Sequence, residues 1–209
     1  MIPKDLIIKN SNSYAELYGI DVKKDPFPWF LFSILLSAKI SEKIALNTFE
    51  LFNKNEITSP EKIIEYGWDY IVSILDKGGY TRYDFKTATK LLYISKSIIK
   101  IGSLKKILDI SKNNEELIFN LKSLGKGIGS VTISIFLREL VGKYNFNPSP
   151  DIRVLISSRN LNIDPLQYSK ENELDYALVE NFLSKIGKNC MKNRCENCLV
   201  KEFCNYINK

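Results

Sequence analysis

Three features of the sequence predict an all-α protein. Apolar residues recur at three- and four-residue spacing along most of the chain. The ends of those stretches carry capping residues or glycine stops. No alternation of polar and apolar residues runs long enough to argue for a strand. Residues 28–38, "PWFLFSILLSA", are almost wholly apolar, as a helix enclosed by other helices would be, and the run is too short to cross a bilayer. "SEKIALNTFELF", 41–52, opens on a serine cap and sets Ile44, Thr48 and Leu51 on one stripe. "SPEKIIEYG", 59–67, reads as cap, first-turn proline, acid and glycine stop. "WDYIVSIL" then forms a further short helix, closed by Gly78 and Gly79. From Tyr83 to Ile101 the helical spacing is carried by Ala88, Leu91, Leu92, Ile98 and Ile99. "NEELIFNLKS" leads into a glycine-rich stretch, and "SVTISIFLREL" leaves it with Ile133, Phe136, Leu137 and Leu140 on one face. "VGKYNFNPSPD", 141–151, carries glycine, asparagine and two prolines and reads as an irregular loop. "PDIRVLISSRN" and "NELDYALVENFLSKIG" are two more helices ahead of a terminal cysteine segment.

At 44% hydrophobic and 26% charged, the chain has the composition of a packed globular protein. Thirty Lys and Arg against 24 Asp and Glu leave a net charge of +6, which suits a polyanionic partner without requiring one. The opening "MIPKDLIIKN" has too short an apolar stretch, interrupted by charge, to be a secretory signal. A monomer in the cytoplasm, associated with the nucleoid and not with a membrane, is expected. Clustered cysteines in such a reducing setting point to metal in preference to disulfides. The chain contains no histidine. Ser–His and Cys–His nucleophilic catalysis and histidine-ligated metals are therefore excluded, and acid–base chemistry falls to carboxylates, Lys, Tyr or Cys.

Two local patterns carry chemistry. The first is "GKGIGSVT", 125–132, between two helical stretches at 113–123 and 130–140. Gly125, Gly127 and Gly129 free the backbone to take positive φ and to approach a ligand closely. The N–H groups at the start of the following helix, near Ser130, make an anion site to which Lys126 adds charge, while Ile128 points inward. The same glycines also suit a plain tight helix–helix connection. The second pattern is Cys190, Cys195, Cys198 and Cys204, spaced C-x4-C-x2-C-x5-C. Four thiols this close, with no histidine in the chain, predict a [4Fe–4S] cluster, with an all-cysteine zinc site as the alternative.

Taken together, a helix-hairpin-helix, an aspartate beyond a proline-containing loop, and a C-terminal four-cysteine knot resemble the endonuclease III superfamily of DNA glycosylases. "FLFSILLSAK", 30–39, resembles the family's early buried helix, "GKGIGSVT" its hairpin and "PDIRV", 150–154, the segment that holds its catalytic aspartate. The resemblance implies two helical domains with the active site in the cleft between them. One would be a six-helix barrel over 25–138 containing the helix-hairpin-helix (113–140). The other would join 1–24 to 139–209 and carry the Asp151 helix and the cluster loop (190–204). The implied partner is double-stranded DNA with a damaged or mispaired base, which the family flips out before cutting its N-glycosidic bond.

Departures from the family pattern shape the expected reaction. The second residue after the hairpin's last glycine, a Schiff-base lysine in bifunctional members, is Val131 here. The resemblance therefore implies a monofunctional glycosylase in which Asp151 stabilises the sugar cation and assists a water. Asp151 also reads as the N-cap of "IRVLI". Lys39 stands where the family often has a glutamine that fills the gap left by the flipped base. Ile34 argues against the adenine-mismatch branch, which carries a glutamate there. The first gap of the cysteine knot is shorter than is usual in the family. The alternatives are a non-catalytic DNA-binding protein of the same fold and a bifunctional enzyme using another lysine.

Overall fold

A computed structural model describes residues 2–206, and the regular elements among them are all helical. In chain order the α-helices are α1 (Lys4–Asn10), α2 (Tyr14–Leu17), α3 (Phe27–Leu36), α4 (Glu42–Lys54), α5 (Pro60–Lys77), α6 (Asp84–Ile101), α7 (Leu104–Ile110), α8 (Asn114–Ser123), α9 (Ser130–Arg138), α10 (Ile152–Leu161), α11 (Pro165–Glu171) and α12 (Tyr176–Cys190). A 3-10 turn, Lys201–Phe203, follows. An isolated bridge between Val141 and Tyr144 is the sole extended pairing among the described residues. None of these helices is long and apolar enough to cross a membrane.

The chain divides into two compact units. Residues 20–136 form a central unit, and the stretches on either side of it, through residue 19 and from residue 137, form a terminal unit. In the central unit the starts of α4, α5, α7 and α8 are fixed by side-chain caps. Ser41 accepts from Ile44 N–H, Ser59 from Lys62 N–H, Ser103 from Lys106 N–H, and Asn113 from Glu116 N–H. Each such cap satisfies a backbone donor that would otherwise lack a partner and stabilises its helix by about 1 kcal/mol. The core is aromatic. Phe32 stacks on Phe49 with centroids 4.4 Å apart, Phe30 meets Phe136 edge-on at 4.9 Å, and the enclosed Trp29 donates its indole N–H to the Phe136 carbonyl at 2.9 Å.

The terminal unit is built on α10 packed along α12. Val154, Val179, Phe182 and Leu183 form its centre, joined by Ile7 from α1 and by Val200 and Cys204 from the end of the chain. Ser157 donates to the Leu183 carbonyl at 2.8 Å, and the Tyr168 hydroxyl donates to the Ile2 carbonyl at 2.7 Å. The approach of α10 to α12 depends on Gly187. A Cβ built there would overlap the Arg153 carbonyl and lie 2.9 Å from Arg153 Cα.

The glycine stop expected at residue 67 is present: α5 consists of two helical stretches that meet at a kink, where Gly67 takes the non-helical φ 73° and ψ 176°. Other expectations are modified. The buried stripe of α4 is Ala45, Thr48, Phe49 and Phe52, with Ile44 and Leu51 only half-buried beside it. Phe49 wins the core because its ring stacks on Phe32, and Phe52 is fully enclosed. Ile99 on α6 is exposed, and Ile94 takes the expected inward place. Helices α1, α2, α7 and α11 were not expected; at seven residues or fewer, each is too short for periodicity to reveal.

Gly187→Ala is expected to destabilise the protein by about 1–3 kcal/mol, because its methyl group meets backbone and the two helices must part. Urea unfolding followed by circular dichroism measures this; a midpoint equal to that of the unmodified chain would show that α10 and α12 do not approach so closely.

Candidate functional site

The central unit holds Lys39 and the glycine hairpin. Helix α8 ends in successive turns, with Leu124 N–H donating to the Leu121 carbonyl and Gly125 N–H to that of Lys122. The backbone then reverses through Gly127, whose φ is +89°, and α9 starts at Ser130. Ile128 is buried and anchors the turn, while Lys126, Gly127, Gly129, Ser130 and Val131 are exposed. Each glycine has a different reason to be there. Gly127 holds a backbone conformation that L side chains rarely adopt. Gly125 takes φ below zero, but a Cβ there would come 3.0 Å from the Tyr93 ring and 3.1 Å from Ile94 Cγ1. Gly129 has neither constraint: open space surrounds its missing side chain.

At the start of α9 the Gly129 carbonyl accepts from Ile133 N–H at 3.1 Å. Among the described residues no acceptor meets the N–H groups of Gly129, Ser130 or Val131. These donors lie at the positive end of the helix dipole, and nothing crowds the open position at Gly129 beside them. Lys39 is exposed in the turn after α3. That turn is tied to the hairpin's second helix, since Thr132 Oγ1 donates to Ser37 Oγ at 2.9 Å. The predicted phosphate-facing residues and Lys39 thus lie in one neighbourhood.

Asp151 and the cysteines belong to the terminal unit. Asp151 is buried and caps α10. Its Oδ1 accepts from Arg153 N–H at 2.8 Å and Val154 N–H at 3.2 Å, and its Oδ2 takes the Arg153 guanidinium at 2.8 Å from Nη2 and 3.2 Å from Nε. Both oxygens therefore have partners, and any reacting group must share Oδ2 with Arg153. Arg153 was missed in the sequence, although its place two residues into a helix capped by an aspartate is a readable signal for such a pair.

The four cysteines surround one cavity of about 200 Å³, lined also by Asn160, Ile186 and Arg194. Cys190 ends α12. Asn193, at φ 52°, reverses the chain so that Arg194 N–H returns to the Asn189 carbonyl at 3.1 Å. Two further turns, Cys198 N–H to the Cys195 carbonyl and Cys204 N–H to the Lys201 carbonyl, bring the other thiols round. Asn205 N–H donates to the Asn160 carbonyl at 2.8 Å and fixes the segment to α10. Burial pushes the Cys190 thiol above its ordinary pKa. Among the described residues no group of three Cys, Asp or Glu side chains is gathered tightly enough to grip an ion, although the thiols share this lining.

Compared with protein-family models and with curated proteins, the chain matches none of either.

The glycines separate in a stability measurement. Gly127→Ala is expected to lower stability by about 1–3 kcal/mol, since alanine would be forced into the left-handed region. Gly129→Ala is expected to stay within about 0.5 kcal/mol of the unmodified protein, because nothing meets the added methyl group. Equal losses in thermal melts of the two variants would contradict this division.

Proposed function

We propose that the protein is a monofunctional DNA glycosylase that releases a damaged or mispaired base from duplex DNA, acting as a monomer in the cytoplasm on nucleoid DNA. The observation that carries this reading is the hairpin, where three backbone N–H groups without acceptors stand beside a glycine that no intramolecular contact requires. A DNA phosphate satisfies those donors, and its backbone-only recognition suits a protein that must hold any sequence while it inspects bases. The finer fold reading, a helix-hairpin-helix glycosylase fold with its active site in an interdomain cleft, belongs to the same proposal and rests on the resemblance.

In this reading the base is flipped out and Lys39 fills the gap. As the N-glycosidic bond breaks, positive charge spreads over C1′ and the ring oxygen. Asp151 Oδ2 stabilises that charge and accepts a proton from the water that adds at C1′, while the base departs with the bonding electrons and is protonated. Oδ1 stays with its two backbone donors, so the carboxylate keeps its orientation throughout. Val131 offers no amine, and the product is an intact strand with an abasic site. Alkylated purines and deaminated or mispaired pyrimidines are the lesions that suit an enzyme without the lysine.

Cys190, Cys195, Cys198 and Cys204 are proposed to hold a [4Fe–4S] cluster, with zinc as the alternative; their shared cavity has room for a body of several atoms. The group would supply a cross-link between the end of α12 and the last turns of the chain, presenting Lys188, Lys192 and Arg194 to phosphate. A second reading, a DNA-binding protein without catalysis, is favoured by the full occupancy of both Asp151 oxygens.

Two experiments test these readings. On a panel of duplexes with one lesion each, the protein is expected to release a base, with strand breaks appearing only after alkali and with little covalent complex trapped by borohydride. Asp151→Asn should slow release by roughly a hundredfold or more while leaving duplex binding in place. Binding without release from any duplex would favour the non-catalytic reading, and strong trapping would point to another lysine, with Lys126 and Lys122 the first candidates. For the cluster, protein isolated without oxygen should be yellow-brown and contain iron, and Cys198→Ser should lose both colour and metal. Colourless protein with stoichiometric zinc would establish the alternative.

A further inference from the structure

The hairpin turn is seated on α6. Tyr93 and Ile94 lie against Gly125, and one helical turn earlier Lys90 runs beside Gly127. A Cβ at Gly127 would come 2.8 Å from Lys90 Cε and 3.2 Å from its Nζ, so the ammonium end rests on the turn itself. Lys90 is half-buried, whereas Lys86, Lys96 and Lys100 of the same helix are exposed. Among the described residues no carboxylate pairs with Lys90 and no acceptor takes a hydrogen bond from it. Burial alone acts on the amine and pushes its pKa down.

A cation withdrawn from water without a counter-ion destabilises the fold, and proteins keep such groups where something else is gained. Here the unpaired ammonium lies at a turn that leads directly into the unpaired N–H groups of Gly129, Ser130 and Val131. Both features call for the same ligand, an anion with several oxygens. Lys126 is exposed and already solvated, so it gains less from pairing than Lys90 does.

We propose that Lys90 is the hairpin's principal phosphate-binding side chain: its ammonium takes an oxygen of the phosphodiester whose other oxygens meet the N–H groups at the start of α9. This rests on the duplex-binding part of the function proposed above, not on base release. The Lys90 contact is independent of the lesion, because it touches only backbone. It also gives Gly127 a second role beyond its positive φ, since any side chain there would push the ammonium off the turn.

The test is the salt dependence of duplex binding, measured by fluorescence anisotropy on lesion-free DNA. Lys90→Met keeps an unbranched stem beside Gly127 and removes the charge. It is expected to reduce the slope of log affinity against log salt by about one, the value for one lost phosphate contact, and Lys90→Arg should restore it. An unchanged slope in Lys90→Met, with the native protein binding DNA, would overturn the Lys90 contact alone. Failure of the native protein to bind duplex at any salt would overturn the DNA reading and this proposal together. A measurement without mutation guards against misfolding. In protein labelled with ¹⁵N-lysine, the Lys90 Nζ signal is expected to shift on adding duplex and to stay in place with the same concentration of inorganic phosphate. A shift with inorganic phosphate and none with duplex would overturn the proposal. So would recovery of Lys90 as the reduced adduct after borohydride treatment with an abasic duplex, because the amine would then lie at C1′.

Discussion

Two neighbouring residues of opposite charge, Arg138 and Glu139, are buried where α9 ends, and the terminal unit is organised around them. The Arg138 guanidinium pairs with Glu180 at 3.2 Å and donates to Asn181, both on α12. Glu139 turns the other way and accepts from Ser13 Oγ at 2.7 Å, Tyr14 N–H at 3.0 Å and Ala15 N–H at 3.4 Å, closing the start of α2. Asn181 completes the link by donating to the Asn12 carbonyl. One dipeptide thus fastens the N-terminal segment and α12 to the same point. Removing one partner of such a set leaves an uncompensated buried charge, at a cost of about 3–5 kcal/mol. Burial also raises the pKa of Glu139, and the Ser13 and Ala15 donors together with Lys143, 3.9 Å away, act against that rise. The loop that delivers Asp151 to α10 starts from this anchored position.

The hairpin shows how one short motif divides its work. Gly127 answers a conformational demand and Gly125 a packing demand from α6, while Gly129 answers neither. That contrast separates the glycines that make the turn from the one that leaves it open. The tie between Thr132 and Ser37 then fixes where the open side lies with respect to Lys39. None of this needs a lysine at position 131, where a half-exposed valine occupies the first turn of α9.

The helical class was legible because long amphipathic stretches repeat their apolar spacing several times. Ile133, Phe136, Leu137 and Leu140 were read as one face and are all buried. The glycine at position 67 was legible as an interruption, and its non-helical φ and ψ divide α5 into two stretches there. Short helices escaped, since α2 has only four residues and no period to detect. At the candidate site, the cap role of Asp151 was readable from its place before "IRVLI", and its geometry bears this out. Lys90 was not readable. It becomes distinctive only when α6 folds against a turn far along the chain, and sequence spacing carries no trace of that contact. The burial of Arg138 and Glu139 was hidden for the same reason.

The terminal unit draws its core from both flanks of the chain, with Ile2 and Ile7 packed in one cluster with Val200 and Cys204. The central unit is a single uninterrupted stretch. During synthesis this imposes an order: residues 20–136 emerge together and can fold while translation continues, whereas α1 waits, its apolar face uncovered, until α12 has been made. A helix made before the central unit is therefore packed only after it. Nascent chains halted ahead of α12 would display Ile2 and Ile7 to chaperones.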